Sequence, residues 1–138
     1  MYIVCKTFKV PIGHRLSKHS GLCHNVHGHN LRIDVQISSY KLNKDDMVID
    51  FHDLKSVVTE ILDKYDHATL FNPTDTKNIE FFKNEGYKIE FITKEDEDPT
   101  AEVFSKFLFE VLKKSFPKQV IDYVKIWEND NSCAGYSE

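Results

Sequence analysis

The sequence predicts an α+β fold in which an antiparallel sheet of four strands carries helices on one of its faces. Residues 2–10, 31–38 and 120–128 alternate apolar and polar side chains, as half-buried strands do. Residues 52–65 and 98–115 repeat their apolar side chains at helical spacing. With a short closing strand near the C-terminus, the order is strand, strand, helix, helix, strand, strand. That order favours hairpins covered by helices.

The first two predicted strands flank a long loop rich in histidine, glycine and serine. Pro11 is expected to end the first strand, because proline cannot donate to a β-ladder. In the second strand Leu31, Ile33 and Val35 alternate with polar residues, which predicts one wet face. A loop of this length inside a small domain is usually functional.

The later part of the chain predicts a helix and an insertion that precedes it. Asp98 is expected to cap this helix, with Pro99 as its first residue. A short helix over 75–86 and a strand over 87–91 form an insertion at about 73–97. The insertion separates the two main helices, and its sequence does not reveal its role.

Composition bounds the class of protein. Residues 1–138 are expected to form one domain. The net charge of −4 makes a nucleic-acid partner unexpected. No apolar run approaches the ~20 residues of a membrane span, and the alternating N-terminus does not resemble a signal peptide. Cys5, Cys23 and Cys133 are few and widely spaced, which favours a reducing cytoplasm over a disulfide framework. Cys5 is expected to be a buried strand residue.

Three histidines predict a metal site. His27 and His29 are two residues apart before a strand, so both imidazoles point to one side of the chain. His14 follows the first strand, and a hairpin would return it beside them. Three neutral imidazoles with an open position are typical of catalytic zinc. Cys23 could instead complete a closed, structural site, and the sequence leaves that alternative open.

Several residues are candidates for proton transfer and substrate binding. The Cys23 side chain lies in a polar loop near the predicted cation, which favours the thiolate. Asp66 could orient His67 if a turn brings the two side chains together, although a helix end is the simpler explanation. Glu128 ends an apolar strand face and could bind a flat, donor-rich ring, or it could point into water. For Glu102 the simpler explanation is that its charge stabilises the start of a helix.

Taken together, these residues resemble the 6-pyruvoyl-tetrahydropterin synthase superfamily. The matching stretches are His14-Arg15-Leu16, Cys23-His24-Asn25-Val26-His27-Gly28-His29-Asn30, Met47-Val48-Ile49-Asp50-Phe51, Leu54-Lys55, Asp66-His67, Pro99-Thr100-Ala101-Glu102, and Glu128 with Tyr136. They occur in the family's order with similar spacing, from about residue 8 onward.

The resemblance implies the tunnelling fold (T-fold), in which subunits join their sheets into a barrel, commonly as a dimer of trimers with sites at subunit interfaces. It implies that Zn²⁺ binds His14, His27 and His29. It also implies a catalytic set of Cys23, Asp66 and His67, with the pterin held by Glu128 and the turn Thr100–Ala101–Glu102.

The spacing of Cys23 and His27 resembles the 6-carboxytetrahydropterin synthase branch of queuosine and 7-deazapurine biosynthesis. The substrate implied is 7,8-dihydroneopterin triphosphate, which loses triphosphate and acetaldehyde. A pyruvoyl-forming synthase remains the alternative within the family. Two alternatives lie outside it. One is a zinc hydrolase with Glu102 or Glu128 as base. The other is a non-catalytic, zinc-stabilised binding module, which chelation would unfold.

Overall fold

The computed structural model describes all residues from Met1 to Glu138, arranged as one sheet with three helices. In chain order the elements are β1 (Tyr2–His14), a 3₁₀ turn (Leu22–His24), β2 (His27–Ser39), α1 (Phe51–Asp63), β3 (Thr69–Leu70), α2 (Thr76–Asn84), β4 (Ile89–Glu90), α3 (Ala101–Ser115), β5 (Val120–Asn129) and β6 (Ser132–Tyr136).

The sheet has the strand order β4-β3-β1-β2-β5-β6. Its centre is the antiparallel hairpin of β1 and β2, and β5 and β6 continue it in antiparallel fashion. The α+β fold with ββααββ order is therefore confirmed. The sheet differs from the predicted four strands in one respect. The two-residue strands β3 and β4 extend it on the β1 side, and both pair in parallel.

Strand β1 runs through Pro11 and ends at His14, four residues beyond the predicted end. The Pro11 carbonyl accepts a hydrogen bond from the backbone N–H of His67, at 3.0 Å, on the side away from β2. Since the N and O atoms of a strand residue point to the same side, the missing N–H of Pro11 costs no bond with β2. The strand therefore continues to His14, one of the histidines predicted to bind a metal.

The core lies between one face of the sheet and the helices. Ile33, Val35 and Val124 are fully buried on the sheet side, and Leu54 and Leu108 pack against that face from α1 and α3. The opposite face has no helix, so Cys5, on the other parity of β1, is exposed and not buried as predicted.

A β-bulge at Asp122 shifts the register of β5 against β2. Ile121 is consequently buried, whereas Val120 is 58% exposed, although the alternation had placed Val120 with the apolar face. The carboxylate of Asp122 accepts a 2.6 Å hydrogen bond from the Ser38 hydroxyl. From Val124 to Glu128 the alternation holds, so that Glu128 shares the side of the buried Ile126.

Helix α3 begins later than predicted. Thr100, not Asp98, is its N-cap, and the Thr100 hydroxyl accepts a 3.2 Å hydrogen bond from the Val103 N–H. The Asp98 carboxylate is turned instead toward the loop after β1, where it accepts from Ser17 and Lys18. None of the helices has the length and apolar character that crossing a membrane requires.

Candidate metal centre and surrounding groups

The three predicted metal-binding histidines converge at one end of the β1–β2 hairpin. The strand register pairs His14 with His27 and Ile12 with His29. The hairpin therefore brings residues 13 and 15 positions apart into contact. One ring nitrogen from each histidine lies within 4.8 Å of the other two. This geometry confirms that the spacing of His14, His27 and His29 produces a three-imidazole cluster.

The hydrogen bonds of these rings leave their Nε2 atoms free to bind a cation. His14 Nδ1 donates to the Pro99 carbonyl at 2.9 Å, and His27 Nδ1 donates to the Asn25 carbonyl at 2.8 Å. Because carbonyls only accept, both protons lie on Nδ1, and two Nε2 lone pairs face each other at 3.0 Å. His29 Nε2 is buried without a partner. A cation among these three atoms would remove the repulsion between the two facing lone pairs and give the third nitrogen a partner. The residues therefore fit a zinc ion.

The protonation of His14 is consistent with a ligand role. Burial of the ring lowers the pKa of His14 from its ordinary value, and the neighbouring His27 and His29 act in the same direction. The bond to Pro99 and the charge of Glu128 oppose this lowering without cancelling it. The ring therefore stays neutral at physiological pH, which is the form that binds metals.

Glu128 lies closer to the histidines than the sequence indicated. Its Oε1 is 3.9 Å from the Nε2 atoms of both His14 and His29, and its side chain is 30% exposed. The alternation of Val124, Ile126 and Glu128 on the core side of β5 is the signal that predicts this direction. A carboxylate at this position could bind a donor-rich ligand beside the metal or neutralise the charge of the cation.

The turn before α3 touches the cluster through its backbone. The Pro99 carbonyl holds His14, as described above, and so fixes the plane of that ring. The Thr100 hydroxyl is occupied as the helix cap. Ala101 is half-buried, and Glu102 is exposed in the first turn of α3. The turn thus supports the His14 ring, while its contact with a pterin remains a prediction.

Cys23 is half-buried in the 3₁₀ turn and forms no disulfide. Its sulfur is not part of the three-histidine cluster. The alternative of a closed site with Cys23 as fourth ligand therefore finds no support in this geometry. Cys23 is therefore a free thiol, and its predicted catalytic role stays a prediction.

The Asp66 and His67 side chains pair, in agreement with the set that the resemblance implies, although the sequence alone favoured a simple helix end. The Asp66 carboxylate lies 2.5 Å from His67 Nδ1. The required turn is provided by His67 itself, which adopts a positive φ of 58°. The His67 side chain is 82% exposed. Its backbone contacts Pro11, three residues before His14 and therefore about 10 Å away along the strand. Neither residue of the pair belongs to the three-histidine cluster.

The sequence reasoning missed a polar network beneath the loop after β1. Burial acts to raise the pKa of Asp98, but hydrogen bonds from Ser17, Lys18 and Asn72 outweigh it and lower the pKa overall. Asn72 is itself fully buried. No spacing rule identifies such a network, because Asp98 lies 26 or more positions from each of these partners.

A second missed contact is the ion pair of Arg15 with Asp75. Arg15 Nη1 lies 2.6 Å from Asp75 Oδ2, and both side chains are largely buried. The only available signal was an arginine directly after a predicted metal ligand, in a stretch without acidic residues from residue 14 to residue 33. The pair connects the start of the loop after β1 to the insertion at 73–97.

Comparison with known proteins gives consistent matches along the whole chain. Residues 3–138 match the sequence model of the family described as 6-pyruvoyl tetrahydropterin synthase. A Haemophilus influenzae protein named 6-carboxy-5,6,7,8-tetrahydropterin synthase is 34% identical, with 100% of both chains covered. An Aquifex aeolicus protein of the same name is 29% identical, covering 98% of this chain and 97% of that protein. The structure of Caenorhabditis elegans 6-pyruvoyl tetrahydropterin synthase aligns with a TM-score of 0.70 at 27% identity, covering 100% of this chain and 97% of that one.

Proposed function

The chain belongs to the 6-pyruvoyl tetrahydropterin synthase family, and from that membership we propose that it is a zinc-dependent 6-carboxytetrahydropterin synthase. Its substrate is 7,8-dihydroneopterin triphosphate, and its product serves 7-deazapurine (queuosine) biosynthesis. The observation that carries the proposal is the three-imidazole cluster with unpartnered Nε2 atoms, in a chain aligned end to end with relatives of that name.

The proposed reaction needs no external oxidant or reductant. Triphosphate leaves the substrate side chain by elimination, and the side chain is oxidised while the pterin ring is reduced by the same two electrons. One water molecule is then consumed as the carbon–carbon bond breaks, which yields the ring-bound carboxylate and acetaldehyde. The protein has to move protons and stabilise negative charge on oxygen.

His14, His27 and His29 would hold the zinc ion, with the backbone bonds of His14 and His27 keeping both rings in the required tautomer. Zinc bound there would supply Lewis-acid polarisation of the oxygen atoms on the substrate side chain. Glu128 would accept hydrogen bonds from the amino-pyrimidine edge of the pterin, and this would set the distance from the ring to the metal.

Cys23 and His67 would transfer the protons. The Cys23 thiolate would remove a proton from the side-chain carbon, since it lies on the loop that carries the histidines and is not used as a ligand. His67, oriented by Asp66, would return or accept a proton on the opposite face of the substrate. Two groups on opposite faces allow successive proton transfers without rotation of the substrate.

The complete site would form between subunits. His67 is exposed and about 10 Å along the strand from His14, so the Asp66–His67 pair of one chain can serve the cluster of another. The terminal strands β4 and β6 leave the sheet with two open edges, which favours pairing with further copies. A barrel built as a dimer of trimers is the arrangement we propose.

The test is incubation of the zinc-loaded protein with 7,8-dihydroneopterin triphosphate, with products identified by mass spectrometry. 6-Carboxytetrahydropterin with one equivalent each of acetaldehyde and triphosphate is expected. Formation of 6-pyruvoyltetrahydropterin would be compatible with the same site residues. It would overturn the branch assignment, which rests on the spacing of Cys23 and His27. Unchanged substrate, with zinc bound and the oligomer intact, would refute the synthase activity. The zinc hydrolase and the zinc-stabilised binding module would then be the remaining hypotheses.

A further inference from the structure

The turn that carries Cys23 has little packing of its own to hold it. None of its residues, Leu22 to His24, is buried. The backbone closes the loop through one hydrogen bond from the Leu16 N–H to the Cys23 carbonyl, at 3.1 Å. A catalytic thiol has to be held in one geometry relative to the substrate, and a three-residue turn without a fully buried side chain makes few contacts that could do that.

Side-chain hydrogen bonds connect this turn to the insertion. Arg15 Nη2 lies 2.7 Å from His24 Nε2, and Arg15 Nη1 lies 2.6 Å from Asp75 Oδ2. The same Nη2 atom is also 3.4 Å from His24 Nδ1, so the guanidinium, which can only donate, lies against the imidazole ring. The connected residues Asp75, Arg15 and His24 form what we call the Arg15 bridge.

The far end of the Arg15 bridge is rigidly held. Asp75 immediately precedes α2, and its second oxygen accepts a 2.8 Å hydrogen bond from Asn78. The Asp75 side chain is 9% exposed and that of Arg15 is 14% exposed, so solvent screens the pair little. The Arg15 N–H also donates to the Leu70 carbonyl at the end of β3. The guanidinium therefore has a defined position from which to hold His24.

We infer that Arg15 and His24 are positioning residues for Cys23, and that the insertion at 73–97 provides the anchor for this positioning through Asp75. This inference rests on the proposed function, in which Cys23 transfers a proton. It gives the insertion a role in the site itself, and it gives a role to His24, whose side chain is exposed. Arg15 and His24 act through Cys23, without contact to the substrate.

The test is a pair of substitutions at His24, the exposed end of the bridge. His24→Phe keeps a ring of similar size but has no acceptor, whereas His24→Gln restores an acceptor oxygen. In His24→Phe we expect kcat to fall between about tenfold and a hundredfold, because small misplacements of a catalytic group have effects of this size. We expect KM to stay within twofold, with zinc content and melting temperature unchanged, and His24→Gln to recover most of kcat.

The matched control is His52→Phe, the same exchange at an exposed position in the first turn of α1. It should leave every constant at the wild-type value. Wild-type kcat in His24→Phe, or equal losses in His24→Phe and His24→Gln, would overturn the inference. A loss of zinc or a dominant rise in KM would do the same. If His24→Phe does not fold, His24→Ala replaces it in the same comparison.

A second readout does not depend on turnover. In a Cys5→Ser, Cys133→Ser background, Cys23 is the only thiol. Its alkylation by iodoacetamide is measured at pH 10, above the ordinary thiol pKa of about 8.5, so that ionisation does not limit the rate. Loss of the bridge should raise the alkylation rate of Cys23 severalfold in His24→Phe and not in His24→Gln. Equal alkylation rates in the two variants would contradict the inference. A wild-type protein inactive on the pterin substrate would refute the proposed function, while the alkylation rates would still test the bridge.

Discussion

His14 and His27 face each other across the β1–β2 hairpin with their Nε2 atoms 3.0 Å apart, although neither atom has a proton to donate. Two lone pairs at this distance repel each other, and the pairing becomes favourable when a cation lies between them. The tautomers follow from two backbone carbonyls, those of Pro99 and Asn25. The hairpin and these two carbonyls thus orient nitrogen atoms that could hold a metal ion.

The first prediction concerns the buried nitrogen of His29. His29→Ala should lower the zinc content from about one ion per chain to a small fraction of that, because two imidazoles rarely suffice for a stable zinc site. Metal is measured by inductively coupled plasma mass spectrometry after dialysis. His52→Ala is the control, and it should retain the full complement. Undiminished zinc in His29→Ala would refute the three-histidine site.

Removal of the metal should leave the fold intact. A hydrophobic core of 24 buried residues stabilises the sheet and helices, and the cluster lies at one end of it. Circular dichroism of the chelated protein should match that of the loaded protein, and readdition of zinc should raise the melting temperature through binding linkage. Unfolding on chelation would instead support a zinc-stabilised module.

Cys23 provides the sharpest test of the chemistry. Cys23→Ala should keep the zinc content and reduce kcat by about 10²- to 10⁴-fold, the usual contribution of one general acid–base group. Steady-state assays with 7,8-dihydroneopterin triphosphate measure this change. Cys133→Ala, at another free cysteine, should have wild-type activity. Full activity of Cys23→Ala would favour a hydrolase, and loss of its zinc would revive the closed Cys-His₃ site.

Glu128→Gln should weaken substrate binding while the metal stays. The substitution preserves the shape of the side chain but removes the charge that receives the amino-pyrimidine donors, so KM should rise about tenfold or more. Zinc affinity, measured by competition with a chelator, should change little. Glu110→Gln, on the exposed side of α3, is the control. A large loss of zinc affinity with unchanged KM would make Glu128 part of the metal site.

Asp98 should contribute to stability in a pH-dependent manner. Hydrogen bonds from Ser17, Lys18 and Asn72 lower its pKa in the folded protein, despite the opposing effect of burial. The stabilisation is therefore fully present above the unfolded pKa of about 3.9 and is lost as the pH falls through the lower folded pKa.

Asp98→Asn should consequently reduce the free energy of unfolding by about 1–3 kcal/mol at pH 7. Urea unfolding at a series of pH values from 7 to 3 measures this difference, which should stay constant down to about pH 5 and shrink below pH 4. Glu95→Gln, an exposed neighbour, should show no such difference. A constant difference across the whole range would mean that the charge of Asp98 is not involved.

Local patterns predicted the secondary structure well and the ends of elements less well. Alternation identified β2 and β5, because burying one side of a sheet imposes a period of two residues. It did not predict the bulge at Asp122, because the extra residue is accommodated by Ser38 on the neighbouring strand. Similarly, Asp98 has the chemistry of a helix cap, but distant partners in the loop after β1 bind its carboxylate instead.

The sequence by itself determined which residues could bind a metal, because the spacing of His27 and His29 and the position of His14 at the end of a hairpin depend on local geometry alone. Only the tertiary structure decided how those residues are supported. The carbonyl of Pro99 orients His14, Glu128 approaches the cluster from β5, and Asp75 holds Arg15. These contacts join residues 60 or more positions apart, and chain packing, which no local pattern encodes, brings them together.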